Sequence, residues 1–258
     1  MKKRLLFVVS EDSYFVSHRL HLAKHAMREG YDVGFLGNIS NHKDLLQASG
    51  ITVYDWNIDR GALSAFSQIK TFIALYRSIK DYRPQVVHAV AAKPILYSSL
   101  ACFLLGTKSQ VYALGGLGFM QSSKKALAAF VRRVTFALLK IALHRQNTLL
   151  ILQNSDDAEL LISKKVVDAG KIRIVRGAGV NTELFNITHE AAHRAQVILP
   201  ARMLCDKGVG EFVEVAREIK KLGISAAFVL VGEPDQKNPE CVPMELISEW
   251  VAEGVIEW

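Results

Sequence analysis

The chain is poor in several features, and each shortage excludes something. Three cysteines stand in 258 residues, Cys102, Cys205 and Cys241. They are too few for a disulfide framework and too far apart for a C-x2-C metal pair, which suits a reducing, cytoplasmic setting. Uncharged stretches such as Pro94 to Thr107 stay short of the roughly 18–20 residues that a bilayer-crossing helix needs. The apolar run after Met1-Lys2-Lys3-Arg4 is only Leu5 to Val9, below the ~7–15 residues of a signal-peptide core. A first buried strand is the better expectation. There is no G-x4-G-K-[ST] loop; Gly106-Thr107-Lys108-Ser109 has the wrong spacing. There is no G-x-G-x-x-G, since Gln121 stands where the third glycine after Gly116 and Gly118 belongs. There is no D-x-D, so a metal–diphosphate site on paired aspartates is not expected. Asp156 and Asp157 are adjacent and read as first-turn helix acids.

The chain does have apolar content and an uneven charge. Half of its residues are apolar and 22% are charged, enough for a real core and against disorder. The net charge of +7 is split: residues 1–150 hold 20 Lys+Arg and 8 Asp+Glu, and residues 151–258 hold 12 and 17. No acid occurs from Tyr82 to Ser155, while Arg83, Lys93, Lys108, Lys124, Lys125, Arg132, Arg133, Lys140 and Arg145 do. Within this region Leu127, Phe130, Val131, Val134, Leu138, Ile141 and Ala142 recur at helical steps, which predicts one buried stripe. The cations read as an ordinary solvated face or as a face for anionic lipid. Nucleic acid is not expected as a partner, because no aromatic platform or recognition motif accompanies them.

Short β-rich runs alternate with amphipathic segments. Strands are expected at Leu5–Val9, Tyr31–Leu36, Ile51–Tyr54, Gln85–Ala89, Gln110–Leu114, Thr148–Leu152 and Ile172–Val175. Helices are expected at His18–Glu29, His42–Ala48, Ser64–Lys80, Pro94–Leu105, Ser123–His144 and Ser155–Ser163. This is the texture of a parallel doubly wound sheet. Residues 181–194 are polar and without period, a linker. The alternation restarts with Val197–Ala201, Gly210–Leu222, Ala226–Val231, Pro243–Ala252 and a strand beginning at Val255-Ile256. The reading is therefore α/β, with a Rossmann-like domain at 1–180, a linker at 181–194 and a partial second Rossmann-like domain at 195–258.

The sharpest local signal is Ala201-Arg202-Met203-Leu204-Cys205-Asp206-Lys207-Gly208. It joins a strand end to a helix, at the edge of a parallel sheet where ligands bind. Arg202 offers a planar fork of donors and Lys207 a flexible point charge, so the pair could hold a diphosphate without metal, helped by the following helix N-terminus. The alternative is two solvated loop cations.

These residues, with Val175–Phe185 before them, resemble the family 4 glycosyltransferases, which have the GT-B fold of two Rossmann-like doubly wound sheets. Val9–Arg19, Ala113–Phe119 and Gln153–Asp157 resemble the N-terminal, G-L-G-[YF] and N-x-x-D segments of the branch that builds bacterial surface polysaccharides, lipopolysaccharide among them. The resemblance implies retaining, metal-independent transfer with no cofactor. Its donor would be a nucleotide sugar (UDP- or GDP-linked) and its acceptor a polyprenyl-diphosphate-linked saccharide. It implies a diphosphate held by Arg202 and Lys207. It implies cleft-lining positions at Ser10, Glu11, Asp12 and Ser13, in a loop reaching Ser17, and at Gly116, Gly118 and Gly179. It also implies work at the inner face of the plasma membrane, with the basic region 83–145 toward anionic lipid.

Two departures stand out. Val87-His88-Ala89-Val90 keeps only the first histidine of the family's H-x-H, so His88 is either a structural residue or an acceptor-site contact. The family's E-x7-E lies beyond Trp258, and Glu245 and Glu253 share its spacing upstream of its place. A chain truncated in the donor domain is expected, with an inactive homologue or a binding-only subunit as the alternative reading. Another GT-B enzyme, such as a nucleotide-sugar epimerase, is a third.

Overall fold

A computed structural model describes residues 2–58, 64–117, 126–183, 185, 195–236, 238 and 240–258, with residues 65 and 126–132 described by backbone alone. Two compact units meet between Asn181 and Thr182. Gly118, Lys124, Lys125, the Arg132 side chain and most of the expected linker lie outside the described residues.

Unit 1 is built on strands β1 (Arg4–Glu11), β2 (Asp32–Asn38), β3 (Thr52–Asp55), β4 (Val86–Val90), β5 (Ser109–Leu114), β6 (Thr148–Leu152) and β7 (Ile172–Ile174). They form one seven-stranded sheet in the order β3-β2-β1-β4-β5-β6-β7, and every pairing is parallel. The chain winds outward from β1 to β3, then restarts at β4 on the other side of β1. Between β1 and β4 the winding reverses, and that is where such sheets open a crevice.

Period-two alternation explains β1: Leu6 and Val8 point into one core, Phe7 and Val9 into the other, and all four are buried. Both faces are covered, which is why the run reads as continuously apolar. Each such side chain contributes about 1.5–3 kcal/mol on burial. Helices α4 (Ala65–Tyr82), α5 (Ala92–Leu105) and α6 (Ala126–His144) cover the first face, and Leu75, Ala101 and Leu139 reach that core. Helices α1 (Asp12–His18) and α2 (Leu20–Arg28) cover the second, where Phe15 meets Phe7 edge-on at 5.3 Å. Helices α3 (Lys43–Ala48) and α7 (Ser155–Ser163) also belong to the unit.

Three expectations need correction. The segment Ser10–Ser17 is not a loop: Ser10 and Glu11 finish β1, and Asp12 starts α1. The helix expected at His18–Glu29 is α2 and starts at Leu20; His18 instead ends α1, and the two helices break at Arg19, whose amide donates to the Phe15 carbonyl. Among the described side chains of α6 the buried ones are Leu139, Ala142 and Leu143, whereas Val134, Leu138 and Ile141 of the expected buried stripe are exposed; Leu127, Phe130 and Val131 lie outside the described side chains.

Unit 2 carries β8 (Ala195–Pro200), α8 (Val209–Lys221), β9 (Ala226–Val231) and α9 (Met244–Ala252). Strands β8 and β9 pair in parallel. Glu257 makes a single parallel bridge to Val229, just past the strand start expected at Val255-Ile256. Val209, Val213, Phe228, Leu230, Ile247 and Trp250 form its core.

Candidate functional site

Two strand-to-helix turns carry most of the residues singled out by sequence. The first follows β1. Asp12 is 0% exposed, and its carboxylate accepts from the Ser40 amide at 2.9 Å, the Ser40 hydroxyl at 2.6 Å, the Asn41 amide at 3.0 Å and the His42 amide at 2.9 Å. Burial opposes the charge, but the Ser40 hydroxyl and the three amides outweigh it and hold the carboxyl well below the usual carboxylate range. Asp12 thus ties the β2–α3 turn to the end of β1. Ser10 is buried and Ser13 exposed.

His88 is the third of five residues in β4 rather than a strand-end residue. It is 4% exposed, stands edge-on to Phe7 at 5.2 Å, and its Nε2 has no hydrogen-bond partner. Burial, with the Arg19 charge adding to it, pushes its pKa down to about 3, so the ring is neutral at physiological pH. Just beyond, Ala91 has φ 77° and ψ 157°, a region almost reserved for glycine that costs about 1–3 kcal/mol. It caps the start of α5 at the point where the winding reverses, and its amide donates to the Ala113 carbonyl.

Beside it, the turn after β5 has Gly116 at φ 149°. Asp157, in the first turn of α7, accepts from the Leu117 amide at 3.1 Å and from Asn154 Nδ2 at 3.1 Å, while its own amide donates to Asn154 Oδ1 at 2.7 Å. The N-x-x-D segment is therefore a reciprocal helix cap that also anchors the glycine turn. Gly179 is exposed, with φ 76°.

The second turn follows β8. Arg202 is exposed and pairs with Asp235 at 2.9 Å. Lys207 is exposed and ends a 3-10 turn, Cys205–Lys207, and Gly208 at φ 75° leads into α8. The two cations thus share one turn at the carboxyl edge of a parallel strand. Glycine at 232 is obligatory there: a Cβ would stand 1.9 Å from the Ala201 carbonyl oxygen. The Met203 amide donates to the Glu233 carbonyl, and the Val242 amide to the Met203 carbonyl, so neighbouring loops brace the turn. Asp235 and Gly232 were missed by sequence reasoning, although a glycine directly after a β-run was a usable sign. Ala91 left no sign at all.

Residues 4–154 match the family described as glycosyl transferase 4-like. The chain belongs to that family. A relative from Campylobacter jejuni, N,N'-diacetylbacillosaminyl-diphospho-undecaprenol alpha-1,3-N-acetylgalactosaminyltransferase, is 25% identical over 79% of this chain and 56% of its own length. A second from Escherichia coli, UDP-Gal:alpha-D-GlcNAc-diphosphoundecaprenol alpha-1,3-galactosyltransferase, is 24% identical over 68% of this chain and 47% of its own. The chain spans about half the length of these relatives. Among solved structures, a glycosyltransferase from Rickettsia africae superposes with a TM-score of 0.66 at 16% identity, over 98% of this chain and 66% of that one. The fold is the expected GT-B-like α/β arrangement. Among the described residues no group of three His, Cys, Asp or Glu side chains could hold a metal ion, and no helix is long and apolar enough to cross a membrane.

Proposed function

We propose that the protein is a retaining glycosyltransferase that moves a sugar from a nucleotide donor to a polyprenyl-diphosphate-linked saccharide in surface-polysaccharide synthesis. The observation that carries this reading is the β8–α8 turn, with two exposed cations on one braced loop in a member of this family. The donor diphosphate would lie across Arg202 and Lys207. Its growing negative charge, as the sugar departs, would be stabilised by these groups rather than by a metal. The Arg202–Asp235 pair is no obstacle, since exposed ion pairs contribute only about 0–1 kcal/mol. Transfer from an α-linked nucleotide sugar to an α-glycoside keeps the anomeric configuration; both relatives are named for α-1,3 transfer, which supports retention and, from the second name, a UDP-linked donor. Because such an acceptor is lodged in lipid, the enzyme would work as a peripheral protein at the inner face of the plasma membrane, unit 1 toward the acceptor and unit 2 toward the donor. His88 then acts as a buried positioning residue behind the acceptor.

The test is a radiolabelled transfer assay on the complete gene product, with a panel of UDP- and GDP-sugars and an undecaprenyl-diphosphate-linked saccharide. Activity with one donor, lost in R202A/K207A and kept in excess EDTA, is the expected result. Turnover unchanged in the double variant would refute the assignment of the diphosphate site, and product formed without acceptor would point to an epimerase instead. Donor binding by calorimetry with no transfer would favour the binding-only subunit.

A further inference from the structure

The break between α1 and α2 leaves a cation incompletely bonded. Arg19 stands between the two helices at φ −133° and ψ −15°, and its amide donates to the Phe15 carbonyl one turn back. Its guanidinium lies 5.9 Å from the centre of the Tyr14 ring, and Nη1 donates to the His18 carbonyl at 2.9 Å. Nε is buried and has no hydrogen-bond partner. The side chain is only half-buried, and no carboxylate among the described residues pairs with it. Asp12, which opens α1, is committed to residues 40–42.

A second unbonded nitrogen belongs to the same region. Phe15 packs on Phe7 and Phe7 on His88, at 5.3 and 5.2 Å between ring centres, so α1 lies over the junction of β1 and β4. There the His88 Nε2 is buried without a partner. Burial keeps that ring neutral, and the Arg19 charge, close enough to be felt, adds to the effect. Buried polar nitrogens left unbonded oppose folding, so two of them in one region call for a missing partner. Arg19 Nε–H is a charged donor, and a neutral imidazole offers one N–H. An anionic oxygen satisfies both, and a guanidinium grips phosphate in a planar, two-pronged contact. The region borders the crevice where the winding of the sheet reverses. In the proposed reaction donor and acceptor each carry a diphosphate, and the donor's is assigned to Arg202 and Lys207.

We propose that Arg19, backed by His88, is a second anion site and holds a phosphate oxygen of the acceptor's diphosphate. This rests on the transferase reading and adds a residue of unit 1 to it. Titration calorimetry on the full chain separates the sources of phosphate. The probes are farnesyl diphosphate for the acceptor's lipid diphosphate, farnesol for the same lipid without charge, and UDP for the donor. R19Q should weaken farnesyl diphosphate by about 10- to 100-fold, as expected when a charge-assisted contact is lost, and leave farnesol and UDP unchanged. H88F should weaken it by about two- to tenfold, the loss of one neutral hydrogen bond. R19K keeps the charge but not the fork and should fall between R19Q and the parent. R202A/K207A should do the reverse of R19Q, weakening UDP alone.

A second readout does not depend on R19Q folding. In the parent chain the Arg19 Nε–H proton resonance, assigned by its absence in R19K, should shift and become protected from exchange when farnesyl diphosphate is added. The inference is overturned by R19Q or H88F binding farnesyl diphosphate as tightly as the parent, or by R19Q weakening UDP alone, which would give the arginine to the donor. It is also overturned by a parent that binds farnesyl diphosphate no better than farnesol, which would leave the two nitrogens to water, or by an unmoved Nε–H signal. Farnesyl diphosphate bound through Arg19 without transfer in the radiolabelled assay fails the transferase reading alone. Transfer by R19Q with an unchanged KM for the acceptor fails this inference alone.

Discussion

After β1 the chain turns at Asp12, and after β8 it turns at Arg202. Asp12 is fully buried, and its lone pairs are taken up by the Ser40 hydroxyl and the amides of residues 40–42. Arg202 keeps its side chain 59% exposed and has Asp235 within ion-pair distance. Both residues stand at the carboxyl edge of a parallel strand, where ligands bind in this architecture. The difference is solvent. A buried charge needs its hydrogen bonds to stay folded and cannot exchange them for a ligand, whereas an exposed one gives up a weak pair readily. Position at a sheet edge therefore nominates a residue, and burial decides whether it holds the fold or a ligand.

Substitutions can break or sharpen this contrast. R202A/K207A should lower transfer by roughly 1000-fold, as expected when cationic stabilisation of a leaving group is removed. Its unfolding midpoint in urea should stay within about 0.5 kcal/mol of the parent; a large loss of stability would make the second turn structural like the first. D12A should do the reverse, destabilising unit 1 by about 3 kcal/mol because buried amides lose their acceptor, as read by hydrogen exchange of β1 and β2. Since folding lowers the Asp12 pKa, its contribution is complete above the unfolded value of about 3.9 and fades as pH falls below it. If D12A weakens exchange protection by under 1 kcal/mol, the contrast fails.

His88 sharpens the same point from the basic side. Its folded pKa of about 3 lies below the unfolded value of about 6.5. The folded state thus binds fewer protons, and stability is full above pH about 6.5. It falls by about 1.4 kcal/mol per pH unit as pH drops from there toward 3. H88F should flatten that slope in acid titrations. A91G should raise stability by about 1 kcal/mol, the strain relieved less the entropy that glycine adds to the unfolded chain; no gain in its melting temperature would mean the backbone there is relaxed. The smallest effect belongs to D235N. Stability should change by less than about 0.5 kcal/mol, while UDP binding by calorimetry tightens a few-fold as Arg202 is freed.

Much of unit 1 was legible because its strands are covered on both faces and read as unbroken apolar runs; Thr148–Leu152 and Ser155–Ser163 have the expected bounds. What escaped has physical causes. Asp12 accepts locally only from the Ser13 amide, and its other partners, at residues 40–42, lie about thirty residues away, so no local pattern announces them. In α6, apolar spacing gives a stripe but not which stripe faces the sheet, because apolar residues occupy two adjacent faces. At the second turn, the order of Arg202, Lys207 and Gly208 after a strand marked the loop, but nothing nearby in sequence pointed to Asp235.

The position of β1 also bears on how the chain is made. Its two neighbours are β2 and β4, and Val86 lies 48 residues beyond Asn38. At ribosomal rates of about 5–20 residues per second, one edge of this central strand waits roughly 2–10 s for its partner. During that interval a nascent chain has an open row of amides and carbonyls flanked by Leu6, Phe7, Val8 and Val9, the kind of edge that other chains can pair with. Unit 1 thus has a window of vulnerability during synthesis, and the crossover from β3 to β4 closes it.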